Sequence, residues 1–257
     1  MKNNKPKVIL LVAGEGKRLR PYTNDRPKCM VEIDGMSLID RQLKVLREEG
    51  LNNIVMIGGD KSDMLKREGI KLKLNPRYYE TNMVWTLFSA EDELDGDVVV
   101  SYGDIVYSRK VLKSLLKSTA DIAVTVDKKW ESYWRLRNEN LLDDAETLKL
   151  RKDGTISEIG KKPKSLDEID GQYMGLMKFS NKGIKHIKKV FHAAEKNSAL
   201  LGRAVENAYM TDLLQAVIDA NKLVTAVPIN GEWVEIDTIG DLNISITTER
   251  LREISHG

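Results

Sequence analysis

Apolar residues recur along this chain in two rhythms. Lys7–Ala13 (KVILLVA) is continuously hydrophobic, as a strand covered on both faces must be, and the cores of NNIVMIGG (52–59) and GDVVVSYGD (96–104) repeat that pattern. Between the first two, SLIDRQLKVLREEG sets Ile39, Leu43 and Leu46 on one helical face and closes at Gly50, a suitable C′ residue. IKLKLN (70–75) predicts a shorter strand, NPRYYETN (75–82) a turn and MVWTLFSAEDEL (83–94) a helix. Strands that alternate with helices predict a largely parallel sheet with helices packed on it.

After Ser108 the pattern changes. IAVTVDK (122–128) and QYMGLMKFS (172–180) predict strands, with LKLRKDGTISEIGKK (148–162) a polar hairpin turning at Asp153-Gly154. NKGIKHIKKVFHAAEK (181–196), AVENAYMTDLLQAVIDAN (204–221) and IGDLNISITTERLREI (239–254) predict helices. A last strand pair, VTAVPI (224–229) and WVEID (233–237), lies between the second and third. No repeat, low-complexity tract or linker interrupts the sequence. The expectation is one α/β domain over residues 1–257 with a mixed, mostly parallel sheet, its halves being about 1–108 and 109–257.

Composition narrows the function classes. Lys and Arg number 41 against 39 Asp and Glu, so no overall field draws in nucleic acid or a membrane surface. No segment approaches the roughly 18 apolar residues of a membrane helix. The basic start MKNNKPK resembles a signal peptide, but its apolar run is short and gives way to Gly, Glu and Lys. Cys29 is the single cysteine, which excludes an intramolecular disulfide and fits a reducing compartment. These points predict a cytoplasmic chain.

Candidate chemistry begins where the first strand ends. In LLVAGEGKRLRPYTNDRPKCM (10–30), Gly14 and Gly16 leave backbone N–H groups open to phosphate oxygens, and Arg18 and Lys28 add mobile positive charge. G-x-G alone equally describes a plain tight turn. Leu19 stands where a dinucleotide fingerprint needs its third glycine, and Pro21 follows, which argues against the Rossmann dehydrogenase pattern; a Walker A loop is absent. Asp104, at the end of a buried strand, lies where α/β sheets bind ligands, or else caps the next element. In EWVEIDTIGDL, Trp233, Glu235 and Asp237 share one strand face, suited either to a metal and substrate or to solvent on an edge strand. KKWESYWRLRNENLLDDAETLKL (128–150) carries Trp130, Tyr133 and Trp134, costly to expose, which predict core, a homodimer contact or a lid over a small charged ligand. His186, His192 and His256 show no metal-ligand spacing with Cys29.

Together, LVAGEGKRLRP…RPKCM, YGD after a buried strand and the late WVEID resemble the sugar-phosphate and phosphocholine nucleotidyltransferases. Their opening, L-x-A-G-x-G-x-R-L-x-P-x-T-x(3)-P-K, is met here at Leu11, Ala13, Gly14, Gly16, Arg18, Leu19, Pro21, Thr23, Pro27 and Lys28. NPRYYETNMVWTLFSAEDEL resembles the choline-phosphate cytidylyltransferase branch. LLDDAETLKL…IGKKP…GQYMGLMKFS is similar to bacterial cytidylyltransferases that activate phosphonates or phosphoglutamine for surface polysaccharides. The resemblance implies a Rossmann-like GT-A fold, CTP as donor, Mg²⁺ as cofactor and a small phosphorylated acceptor, phosphoglutamine narrowly ahead of phosphocholine or a phosphonate. It implies that Ala13, Gly14, Glu15, Gly16 and Lys17 wrap the nucleotide, with Gly59 and Asn82 near its base or ribose. Arg18 and Lys28 would meet its phosphates, and Asp104 and Asp237 would hold the metal. Trp134, Tyr173 and Glu235 would grip the acceptor, with Arg135 and Arg137 placed to meet a carboxylate. A sugar-1-phosphate uridylyl- or thymidylyltransferase and a non-catalytic nucleotide-sensing module are the alternatives; two acidic positions favour an enzyme.

Overall fold

The computed structural model describes residues 5–243 and 245–256. Its centre is a seven-stranded sheet made of β1 (Lys7–Val12), β2 (Ile54–Gly58), β3 (Ile70–Leu74), β4 (Val98–Tyr102), β6 (Ile122–Asp127), β9 (Gln172–Phe179) and β10 (Thr225–Ile229), in the order β10-β6-β9-β4-β1-β2-β3. Only β9 runs antiparallel to its neighbours. β1 is therefore central and parallel to both flanking strands, which explains its unbroken apolar run. Val8, Leu10 and Val12 enter the apolar layer on one face, and Ile9 and Leu11 the layer on the other.

Helices cover both faces. α1 (Leu38–Glu48), α3 (Arg109–Lys117), α4 (Trp130–Arg137) and α7 (Ser245–His256) contribute to the first layer; α2 (Met83–Phe88), α5 (Asn181–Lys196) and α6 (Met210–Asp219) contribute to the second. Ser37, Ser108 and Ser180 begin α1, α3 and α5 by accepting a backbone N–H with their hydroxyls. The hairpin of β7 (Leu148–Leu150) and β8 (Ile156–Ile159) turns at Asp153-Gly154 as expected, with Gly154 at φ 80°.

Several expectations are corrected. The helix expected over 83–94 ends at Phe88 and is followed by a single 3-10 turn, Glu91–Glu93. The helix expected over 204–221 starts only at Met210, because Asp212 accepts from the Tyr209 N–H and stops the helix from extending backwards. VTAVPI and WVEID do not pair with each other. β10 lies parallel to β6, whereas β11 (Trp233–Glu235) pairs antiparallel with β5 (Ile105–Tyr107). The cause is buried Asp127, which accepts from the Gly231 N–H and the Trp233 indole at 2.9 Å each and draws the chain away from the main sheet. Among the described residues no helix is long and apolar enough to cross a membrane.

Candidate active site

Because β1 and β4 are parallel neighbours, the loops leaving them open on the same edge of the sheet. The first loop folds back on itself. Gly16 takes φ 66°, a Cβ there would come within 2.9 Å of the Thr23 methyl and 3.0 Å of Lys28 Cβ, and Thr23 Oγ1 donates to the Gly16 carbonyl at 2.8 Å. The threonine and lysine of the opening motif thus lie against its second glycine, and Lys28 is delivered to the loop that would hold a phosphate.

Lys28 Nζ lies 2.6 Å from Asp104 Oδ2 and 2.6 Å from Asp237 Oδ1, and Arg18 also pairs with Asp237. Burial pulls the ammonium pKa down, but the two carboxylates outweigh it and hold the pKa well above the ordinary lysine value. The two acids meet because β11 pairs with β5 and the Ile236 N–H donates to the Asp104 carbonyl at 3.0 Å. Asp104 Oδ1 is buried with no hydrogen-bond partner. A carboxylate oxygen left bare next to a second carboxylate fits a divalent cation, which would complete its coordination.

Two cavities meet at this centre. The first, about 380 Å³, is lined by Ala13 to Arg18, Lys28, Tyr78, Tyr79, Thr81, Asn82 and Asp104. The second, about 470 Å³, is walled by Trp134, Glu146, Tyr173, Trp233 and Glu235. Arg18, Met83, Tyr102 and Asp237 line both. Trp233, Glu235 and Asp237 all reach the second cavity, as the two-residue alternation along WVEID requires. Burial pushes the Glu235 carboxyl up to about 7, against the pull of Arg137.

Other expected residues lie elsewhere. Gly59 lines neither cavity; it packs against Ala13 O and Tyr78, where a Cβ would approach to 2.6 Å, so it shapes the wall from behind. Arg135 is exposed and pairs with Glu131, because one helical step beyond Trp134 turns it about 100° away from the cavity. Arg137 returns to the inner face but lies behind the cavity. Its side chain is 4% exposed, donates to Glu235 Oε2 at 2.7 Å and to Asp241 Oδ1 at 2.8 Å, and lies over the Tyr133 and Trp134 rings. Trp130, Tyr133 and Trp134 are core residues, 5%, 0% and 4% exposed.

Tyr102 and Glu146 escaped the sequence reading. Tyr102 precedes the Gly103-Asp104 pair, and its ring stands edge-on to Tyr173 at 5.9 Å. Gly175 permits this, since at φ 80° a Cβ would lie 2.5 Å from the Tyr102 ring. The bulge that interrupts β6–β9 pairing between Tyr173 and Met177 has no local signature beyond that glycine. For Glu146 the only signal was an unusual acidic run in a segment already rich in tryptophan.

Known proteins resemble this chain in sequence and in fold. Residues 8–169 match the model of the MobA-like NTP transferase domain family. A CTP:phosphoglutamine cytidylyltransferase of Campylobacter jejuni is 39% identical over 250 residues, covering 93% of this chain and 98% of its own. A choline-phosphate cytidylyltransferase of Streptococcus pneumoniae is 33% identical over 117 residues, 44% of this chain and 51% of its own. In fold, the inositol-1-phosphate CTP transferase from T. maritima superposes with a TM-score of 0.77 at 23% identity, over 98% of this chain and 96% of its own.

Proposed function

The chain belongs to the MobA-like NTP transferase domain family, and on that premise we propose that it is a cytidylyltransferase moving CMP from CTP to a small phosphorylated acceptor. The observation that carries this reading is the junction of the two cavities. Arg18, Tyr102 and Asp237 line both, so two substrates bound side by side would meet at the Lys28–Asp104–Asp237 centre. Phosphoglutamine is the best candidate acceptor, supported by the near full-length relationship at 39% identity. The product would be a CDP-linked compound fit for surface polysaccharide modification.

The reaction follows from charge. An oxygen of the acceptor phosphate attacks the α-phosphorus of CTP, the bond from that phosphorus to the bridging oxygen breaks, and pyrophosphate leaves with the electron pair. The acceptor phosphate, with a second pKa of about 6, is largely dianionic at neutral pH and needs no general base. The obstacle is the approach of two polyanions, so catalysis is mostly positioning and electrostatic stabilisation. The loop N–H groups of Ala13 to Gly16 would hold the triphosphate, and Lys28 and Arg18 would neutralise charge between the substrates. Asp104 and Asp237 would hold Mg²⁺, which when bound supplies further positive charge at the α-phosphate. Asn82 donates its amide N–H to the Asn207 carbonyl at 2.9 Å, leaving its amide oxygen to accept from the cytosine amine.

The test is pyrophosphate release measured across CTP, UTP and dTTP with a panel of phosphorylated acceptors. CTP with phosphoglutamine is expected to be the best pair. Activity confined to UTP or dTTP with a sugar 1-phosphate would replace this reading with a sugar nucleotidyltransferase.

A further inference from the structure

Asp143, Asp144 and Glu146 are acids of the second cavity to which the catalytic reading gives no role; the two aspartates are exposed, whereas Glu146 is half-buried. Glu235 is engaged by Arg137 and Asp237 by Lys28 and Arg18, but Glu146 forms no ion pair among the described residues. The Thr211 hydroxyl is 3.5 Å from Oε1, longer than an ordinary O–H···O hydrogen bond, while the Gln172 side chain fixes the Glu146 backbone by donating to its carbonyl at 2.9 Å. The carboxylate is thus positioned but unneutralised. It shares the cavity with Arg18, which faces the phosphate centre. Anionic and cationic groups at separate places in one cavity match a ligand carrying a phosphate at one end and a cation at the other.

The aromatic residues decide what kind of cation. A quaternary ammonium has no N–H and is held on open ring faces. Here Arg137 already lies over the Trp134 ring at 5.2 Å, Trp233 is 1% exposed, and Tyr173 meets Tyr102 edge-on. A primary ammonium instead needs a carboxylate acceptor, which Glu146 supplies.

We propose that Glu146 is the specificity residue of the acceptor site, accepting hydrogen bonds from a primary ammonium on the phosphorylated acceptor and selecting amino-acid-type acceptors over quaternary ammonium and uncharged ones. This rests on the cytidylyltransferase reading above and names the chemical class of its acceptor. Burial, and beyond it Asp212, pushes the Glu146 carboxyl up to about 7; a seated ammonium offsets that cost and fixes the ionised form.

The experiment compares phosphoglutamine, its counterpart lacking the α-amine, and phosphocholine, with CTP, in the wild-type protein and in Glu146→Gln and Glu146→Ala. Pyrophosphate release gives kcat/KM for each pair, and calorimetry gives acceptor affinity without CTP. The wild type is expected to prefer the aminated acceptor over the deaminated one by about 10- to 100-fold, the value of a hydrogen-bonded charge. In Glu146→Gln that preference collapses towards unity through KM. Equal use of both acceptors by the wild type, a retained preference in Glu146→Gln, or phosphocholine as the best acceptor would overturn the proposal while leaving cytidylyl transfer standing. No CTP-dependent release with any acceptor would remove both. Should Glu146→Ala unfold, Glu146→Gln, of the same shape, carries the comparison.

Discussion

The ammonium of Lys28 lies 2.6 Å from Asp104 Oδ2, a partner 76 residues away, and equally close to Asp237 Oδ1, a partner 209 residues away. One cation thereby draws together three distant segments of the chain at the mouth of the phosphate loop. Replacing Lys28 by Met keeps the stem and removes the charge. Steady-state kinetics are expected to show kcat lower by about 10²- to 10³-fold, with an unchanged circular dichroism spectrum.

The acidic pair is expected to be indispensable. Asp104→Ala and Asp237→Ala should each abolish turnover over a full Mg²⁺ titration while thermal unfolding stays cooperative. Full activity in either variant would sink the metal assignment.

Arg137 and Arg135 separate a structural charge from a surface one. Arg137, its side chain 4% exposed, holds Glu235 and Asp241, so Arg137→Met strands two carboxyl groups and should cost about 3–5 kcal/mol in denaturant unfolding. Arg135 pairs with Glu131 in solvent, and Arg135→Ala should cost less than about 1 kcal/mol. Equal effects would mean that the buried network contributes nothing to folding.

Asp127 is fully buried, and its oxygens accept from Lys129 N at 2.8 Å and from Gly231 N and Trp233 Nε1 at 2.9 Å. Asp127→Ala leaves those donors unsatisfied and should cost about 2–3 kcal/mol. Since Asp127 fixes the start of β11, a rise in acceptor KM should accompany the lost stability.

Stability should also depend on pH through Glu146. Its folded pKa, near 7, lies above the ordinary 4.5, so between those values the folded state binds more protons than the unfolded one. The contribution is fully present below about 4.5 and is lost as pH rises towards 7. The wild-type Tm should fall across that interval relative to Glu146→Gln, in which this group cannot titrate; parallel curves from scanning calorimetry would contradict the shift.

How far the sequence reached depended on whether a signal was local. The apolar run of β1, the helices that follow Ser37 and Ser180 and the Asp153-Gly154 turn were legible because each reflects interactions within a few residues of sequence. The opening motif was legible for the same reason: Gly16, Thr23 and Lys28 are contiguous enough to fold on one another. The alternation along WVEID even placed Trp233, Glu235 and Asp237 on one face. Which elements that face would meet was decided only by tertiary structure. Buried Asp127 diverts the chain after β10, β11 joins β5 instead of the main sheet, and Asp237 arrives beside Asp104. The same holds for Arg135 and Arg137, two residues apart and equally charged, one left in water and the other taken into the core. Glu146 became visible as an unneutralised carboxylate only once its cavity had walls, because an absent partner is a property of the folded surroundings and leaves no mark in the order of residues.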